Sequence, residues 1–91
     1  MAYQVFYHPE IPEDLKRIPQ NIRELIKRAI TERLLNNPEP VSQPLKRNLK
    51  GYRKLRVGDY RVIHKIHGNS IIILKTVNRK DVYNKIFSRV S

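Results

Sequence analysis

The sequence contains no cysteine, which excludes disulfide staples, thiolate metal sites and a cysteine nucleophile and suits a reducing compartment. Long apolar runs are missing too. The longest, Ile71 to Leu74, is far too short to cross a bilayer. The start MAYQVFYHPE has no basic segment followed by an apolar stretch, so the expected address is cytoplasmic, with no membrane partner. Proline is absent after residue 44 and glycine before residue 51. Proline suits helix starts and loops but removes a donor from a strand ladder, so this division predicts helices first and a β-meander second. Acidic residues are scarce in one half only: residues 45–91 hold thirteen Lys and Arg against Asp59 and Asp81, whereas residues 1–44 hold six basic and six acidic residues. The entire net charge of +11 therefore lies in the second half. Such polarity points to a polyanion, RNA or DNA, or to a strongly acidic protein partner.

What is present fits one globular domain spanning residues 1–91, with 40% hydrophobic and 30% charged residues. Ala2 to His8 alternates Tyr3, Val5 and Tyr7 against Gln4 and Phe6 and reads as a strand ending at Pro9. Pro12, Glu13 and Asp14 followed by Lys16 and Arg17 have the polarity of a short helix. Ile22, Leu25, Ile26, Ala29, Ile30 and Leu34 form one apolar stripe of helical period, which Asn36-Asn37-Pro38 stops. Residues 38–50 read as a proline-containing connection. From Tyr52 the period becomes two, and Gly58-Asp59 and Gly68-Asn69 mark two tight hairpin turns. A short helix from Lys80 to Val90, with Val82, Ile86 and Phe87 on one side, closes the chain. The fold class is α+β: a small sheet, made of an N-terminal strand and a three-stranded antiparallel meander, with two helices packed on one face and a short C-terminal helix.

Counting outward from Gly58-Asp59 opposes Val57 to Tyr60, Arg56 to Arg61, Leu55 to Val62 and Lys54 to Ile63. Opposed residues share a side of the sheet. One face gathers Leu55, Val57, Tyr60, Val62 and Ile66, with Arg53 and His64 among them, and should rest on the apolar helical stripe. The other gathers Tyr52, Lys54, Arg56, Arg61, Ile63 and Lys65. Opposed like charges destabilise a sheet, and a phosphate resting there would remove the conflict. Arg79 and Lys80 arrive where the last strand ends, and Tyr83 lies four residues beyond Arg79. His8, His64 and His67 have no carboxylates at ligand spacing, and no glycine-rich phosphate loop or Ser-His-Asp set is evident, so neither metal nor cofactor is expected.

The order strand, helix, helix, meander, together with LKGYRKLRVGDYRVIHKI and VNRKDVYNKIF, resembles the RelE/ParE superfamily of bacterial and archaeal toxins, its RelE branch more closely than its ParE branch. The resemblance implies endonucleolytic cleavage of mRNA in the ribosomal A site, with ribosome and mRNA as partners and a RelB-like acidic antitoxin that neutralises the toxin. ParE-type relatives inhibit DNA gyrase instead, and a non-catalytic nucleic-acid-binding module is the third reading. Carried over position by position, Lys54, Arg61, Arg79 and Tyr83 fall on the residues that act in cleavage. The family pattern also has a lysine at the position of Tyr52. Lys50 or Arg53 then supplies the missing charge, or Tyr52 stacks on a base. Lys50, Tyr52, Arg53, Arg56, Lys65 and Lys80 are the expected RNA contacts.

Overall fold

The computed structural model describes residues 3–46 and 49–85. Strand β1 (Gln4–Tyr7) is followed by α1 (Ile11–Lys16) and α2 (Gln20–Ala29), and α2 runs on into a π-helical turn at Ile30–Leu34. A one-turn helix α3 (Pro38–Val41) and a two-residue strand β2 (Gln43–Pro44) lead into β3 (Tyr52–Val57), β4 (Tyr60–His67) and β5 (Ser70–Asn78). The described chain ends with a 3-10 turn at Arg79–Asp81 and α4 (Val82–Lys85). Ile86 and Phe87, expected in the last helix, lie outside the described residues.

The sheet has five strands in the order β1-β5-β4-β3-β2. Gly58 and Gly68 adopt φ of 60° and 58°, conformations that glycine enters without steric cost, and they turn the two predicted hairpins. The β3–β4 register matches the counting from Gly58-Asp59: Arg56 faces Arg61 and Lys54 faces Ile63. β1 pairs in parallel with β5. The strand β2 is an addition to the expected meander. With two residues it is too short to show a period, and its proline sits at the sheet edge, where a missing donor costs least.

The main core forms where α1 and α2 cover one sheet face: Ile26, Ala29, Ile30 and Leu34 meet Leu55, Val57, Val62, Ile71 and Ile73. Leu25 departs from the expected stripe and is 46% exposed. The opposite face carries Ile63 and Tyr52 among its cations, where the register count puts them. Ile63 is fully buried there in a second cluster with Leu45, Leu49, Val77 and Val82, because Leu45 and Leu49 of the connection pack over that part of the sheet. β5 carries an irregularity: Ile63 faces Lys75 while His64 faces Ile73, so Leu74 is the extra residue. Beyond it, the Asp14 carboxylate of α1 accepts from the Thr76 amide at 3.2 Å and pairs with the buried Lys75 ammonium at 3.5 Å. This contact ties α1 to the strand that leads to Arg79.

Candidate functional site

The cationic face is built on the β3–β4 hairpin. Lys54, Arg56 and Arg61 line one cavity of about 210 Å³, walled by Val41 and Gln43. Gln43 stands beside Lys54 because β2 pairs with β3. The walls come from the segment that reads as a plain connection in the sequence, where Gln43-Pro44 is too short to signal a strand. Arg61 folds back over the turn and donates from Nη1 to the Gly58 and Tyr60 carbonyls at 3.0 and 2.9 Å. Burial holds its guanidinium below the ordinary arginine range, the charges of Arg56 and Arg79 push the same way, and Asp59 opposes them. An arrangement that strains three guanidinium groups against one another stabilises an anion placed among them.

Arg79 reaches this group through a latch between the end of β5 and the hairpin turn. Its amide donates to the Asp59 carbonyl at 2.9 Å, and its Nε lies 3.9 Å from the Asp59 carboxylate. The Asn78 side chain accepts from the Lys80 amide at 3.0 Å and caps the following turn. Tyr83 is on α4, where its ring packs on the second core and its hydroxyl accepts from the Lys46 amide at 3.0 Å. The ring is thus part of the packing on the site's own face, and the hydroxyl is oriented by the connection.

The remaining expected contacts divide. Arg56 is exposed at the cavity, and Lys50 and Lys80 are exposed on either flank of the meander. Tyr52 packs against the second core and carries the Lys65 ammonium 5.6 Å from its ring centroid. That cation–π contact engages both residues with each other. Arg53 is turned to the helix side: it donates to Ser42 Oγ at 2.8 Å, to the Ser42 carbonyl at 2.7 Å and to the Glu39 carbonyl at 2.8 Å. These bonds hold α3 and β2 against β3, so its placement is that of a brace beneath the cavity wall. Among the described residues, no group of three or more His, Asp and Glu side chains could hold a metal ion.

A family model described as the ParE toxin of the type II toxin–antitoxin system parDE matches residues 5–83. The chain belongs to the RelE/ParE toxin superfamily. Its curated relatives include the toxin RelE3 of Methanocaldococcus jannaschii, 32% identical over 85 residues that cover 89% of this chain and 96% of that one. The toxin RelE of Mycobacterium tuberculosis is 36% identical over 64 residues, 70% of this chain and 66% of that relative, just under two thirds of its length. The toxin–antitoxin complex RelBE2 of Mycobacterium tuberculosis superposes with a TM-score of 0.80 at 27% identity, covering 87% of this chain and 100% of the matched one. The RelB–RelE antitoxin–toxin complex of Methanococcus jannaschii gives a TM-score of 0.67, also at 27% identity, with 87% and 95% covered. The fold and the superfamily expected from the sequence are therefore both found.

Proposed function

We propose that the chain is a single-domain, ribosome-dependent mRNA endoribonuclease that acts in the cytoplasm, stops translation, and is neutralised by an acidic antitoxin of the RelB kind. One observation carries the reading: Lys54, Arg56 and Arg61 share a cavity that the Asp59 latch places beside Arg79. Three cations lining one cavity, with a fourth near enough for its charge to act on Arg61, suit a phosphodiester, and relatives that carry the RelE name add weight to the RNA-cleaving branch.

The chemistry this arrangement can support is transesterification. The ribose 2′-oxygen attacks the adjacent phosphorus and loses its proton to an acceptor, while the bond to the 5′-oxygen breaks and that oxygen takes up a proton. The products are a 2′,3′-cyclic phosphate and a 5′-hydroxyl. Arg61 and Arg79 serve the phosphorane, since a guanidinium fork can bridge two phosphate oxygens. Tyr83 or Lys54 transfers the proton. A site with no histidine or carboxylate base in these roles depends on in-line positioning, which a ribosome-held codon provides.

The test is to induce the protein in cells and map mRNA 5′ ends alongside DNA supercoiling. New mRNA ends within reading frames are expected. Loss of supercoiling with intact messages would transfer the chain to gyrase inhibition, and neither change would leave a non-catalytic binding module.

A further inference from the structure

The cavity lined by Lys54, Arg56 and Arg61 has a neighbour on the other side of the β3–β4 turn. A second cavity, of about 260 Å³, is lined by Leu25, Arg28, Glu32 and Arg33 of the long helix and its π turn and by Arg56 and Gly58 of the hairpin, with Ala29 and Val57 behind them. Arg56 lines both cavities, so the two adjoin at one residue near the end of β3. Arg28 and Arg33 are exposed, and neither their guanidinium groups nor that of Arg56 makes a hydrogen bond or ion pair among the described residues. Glu32 is the single acid of the lining, against three arginines. Leu25, 46% exposed, gives this basic surface an apolar patch.

Unpaired guanidinium groups beside an exposed leucine are matched by a chain that alternates phosphates with flat apolar bases, which is the chemistry of single-stranded RNA. We infer that the RNA strand bound by Lys54, Arg56 and Arg61 continues around the hairpin turn onto the helix, where Arg28 and Arg33 hold a further phosphate and Leu25 supports a base. The inference rests on the RNA-cleaving reading for the identity of the strand. It adds a second stretch of the same track, on residues that the balanced charge of the first half of the sequence had concealed. The shared Arg56 favours one continuous strand over a separate macromolecule, because the two cavities adjoin at that residue.

Binding measured with the full chain tests this apart from cleavage. Single-stranded RNA of about four nucleotides fills the first cavity alone, whereas one of about twelve reaches the second, lengths that span the usual single-strand site sizes. Arg28→Gln with Arg33→Gln should leave the short oligonucleotide unaffected and weaken the long one. The slope of log affinity against log salt for the long RNA should fall by about 0.7, the contribution of the one single-strand phosphate that is no longer neutralised. Lys16→Gln with Arg17→Gln removes the same charge from α1 and should change neither. Equal weakening by both pairs, or none with the long RNA, would overturn the inference. If the wild-type protein binds as described yet cuts no message, the functional reading fails while the track stands.

Discussion

Arg61 sits between two other guanidinium groups and gives one of its nitrogens to the turn it came from. Arg61→Ala and Arg79→Ala should each lower single-turnover cleavage of ribosome-bound message by about 10²-fold or more, the scale of a missing oxyanion donor. Both variants should stay folded by circular dichroism, since neither side chain belongs to a core cluster. Full toxicity of both folded variants would remove them from the phosphate site. Tyr83→Phe keeps the ring on the second core and deletes the oxygen that accepts from Lys46. Stability should fall by about 1 kcal/mol in urea titration, and cleavage by a folded, saturating toxin by about 10²-fold or more if the hydroxyl moves a proton. Unchanged cleavage would shift that role to Lys54. His64 makes a prediction about stability alone. It is fully buried, its Nδ1 lies 3.0 Å from the Val62 carbonyl and its Nε2 has no partner. Burial, with the Arg53 charge adding, pushes its pKa from 6.5 to about 4 against the pull of the Val62 bond. The unfolded chain therefore takes up this proton first. Stability is complete above pH 6.5 and drains away as the pH falls to about 4, a decrease of about 3 kcal/mol at 1.36 per pH unit. His64→Leu should flatten the stability profile in that window relative to wild type.

At the scale of elements, Arg53 decides between two roles. Three short bonds to Ser42 and Glu39 make it a brace for β2 and α3, so Arg53→Ala should destabilise the fold by about 2–3 kcal/mol. Short-RNA binding per folded molecule should stay near wild type, and a selective drop in RNA affinity would restore Arg53 to the interface. The hairpin could be read from the sequence because strand alternation and a two-residue glycine turn fix a register without reference to anything distant. α2 could be read for a similar reason, its stripe being local. Its stop at Asn36-Asn37-Pro38 could be read too, but not the π form of its last turn. Thr31 donates its hydroxyl to the Lys27 and Arg28 carbonyls, and the Leu35 amide reaches back to Ile30 at 2.9 Å. This widened turn is chosen by side-chain competition and packing, which periodicity does not record. β2 and the second core share that character: Leu45 and Leu49 carry no period, and they become core only because the connection lies over Ile63.

For the whole molecule, the charge asymmetry was legible as a count but not as a shape. Residues 1–44 sum to neutrality, yet the fold brings Arg28 and Arg33 to Arg56 and extends the basic surface onto a helix. A protein at +11 should capture an acidic antitoxin by steered diffusion, so its association rate should drop steeply as salt rises from about 0.01 to 0.15 M, where screening shortens from about 30 to 8 Å. Stopped-flow mixing across that range checks it, and a rate indifferent to salt would contradict the acidic-partner assignment. The sheet order has a consequence for synthesis. β1 is made first, but its partner is β5, with Gln4 beside Ser70 and Tyr7 beside Ile73. The first strand must wait for the last, and the long closure makes this pairing slow to form. A frameshift or stop codon upstream of Ser70 would remove the strand that joins β1 to β4, so such a lesion should leave β1 with no place in the sheet.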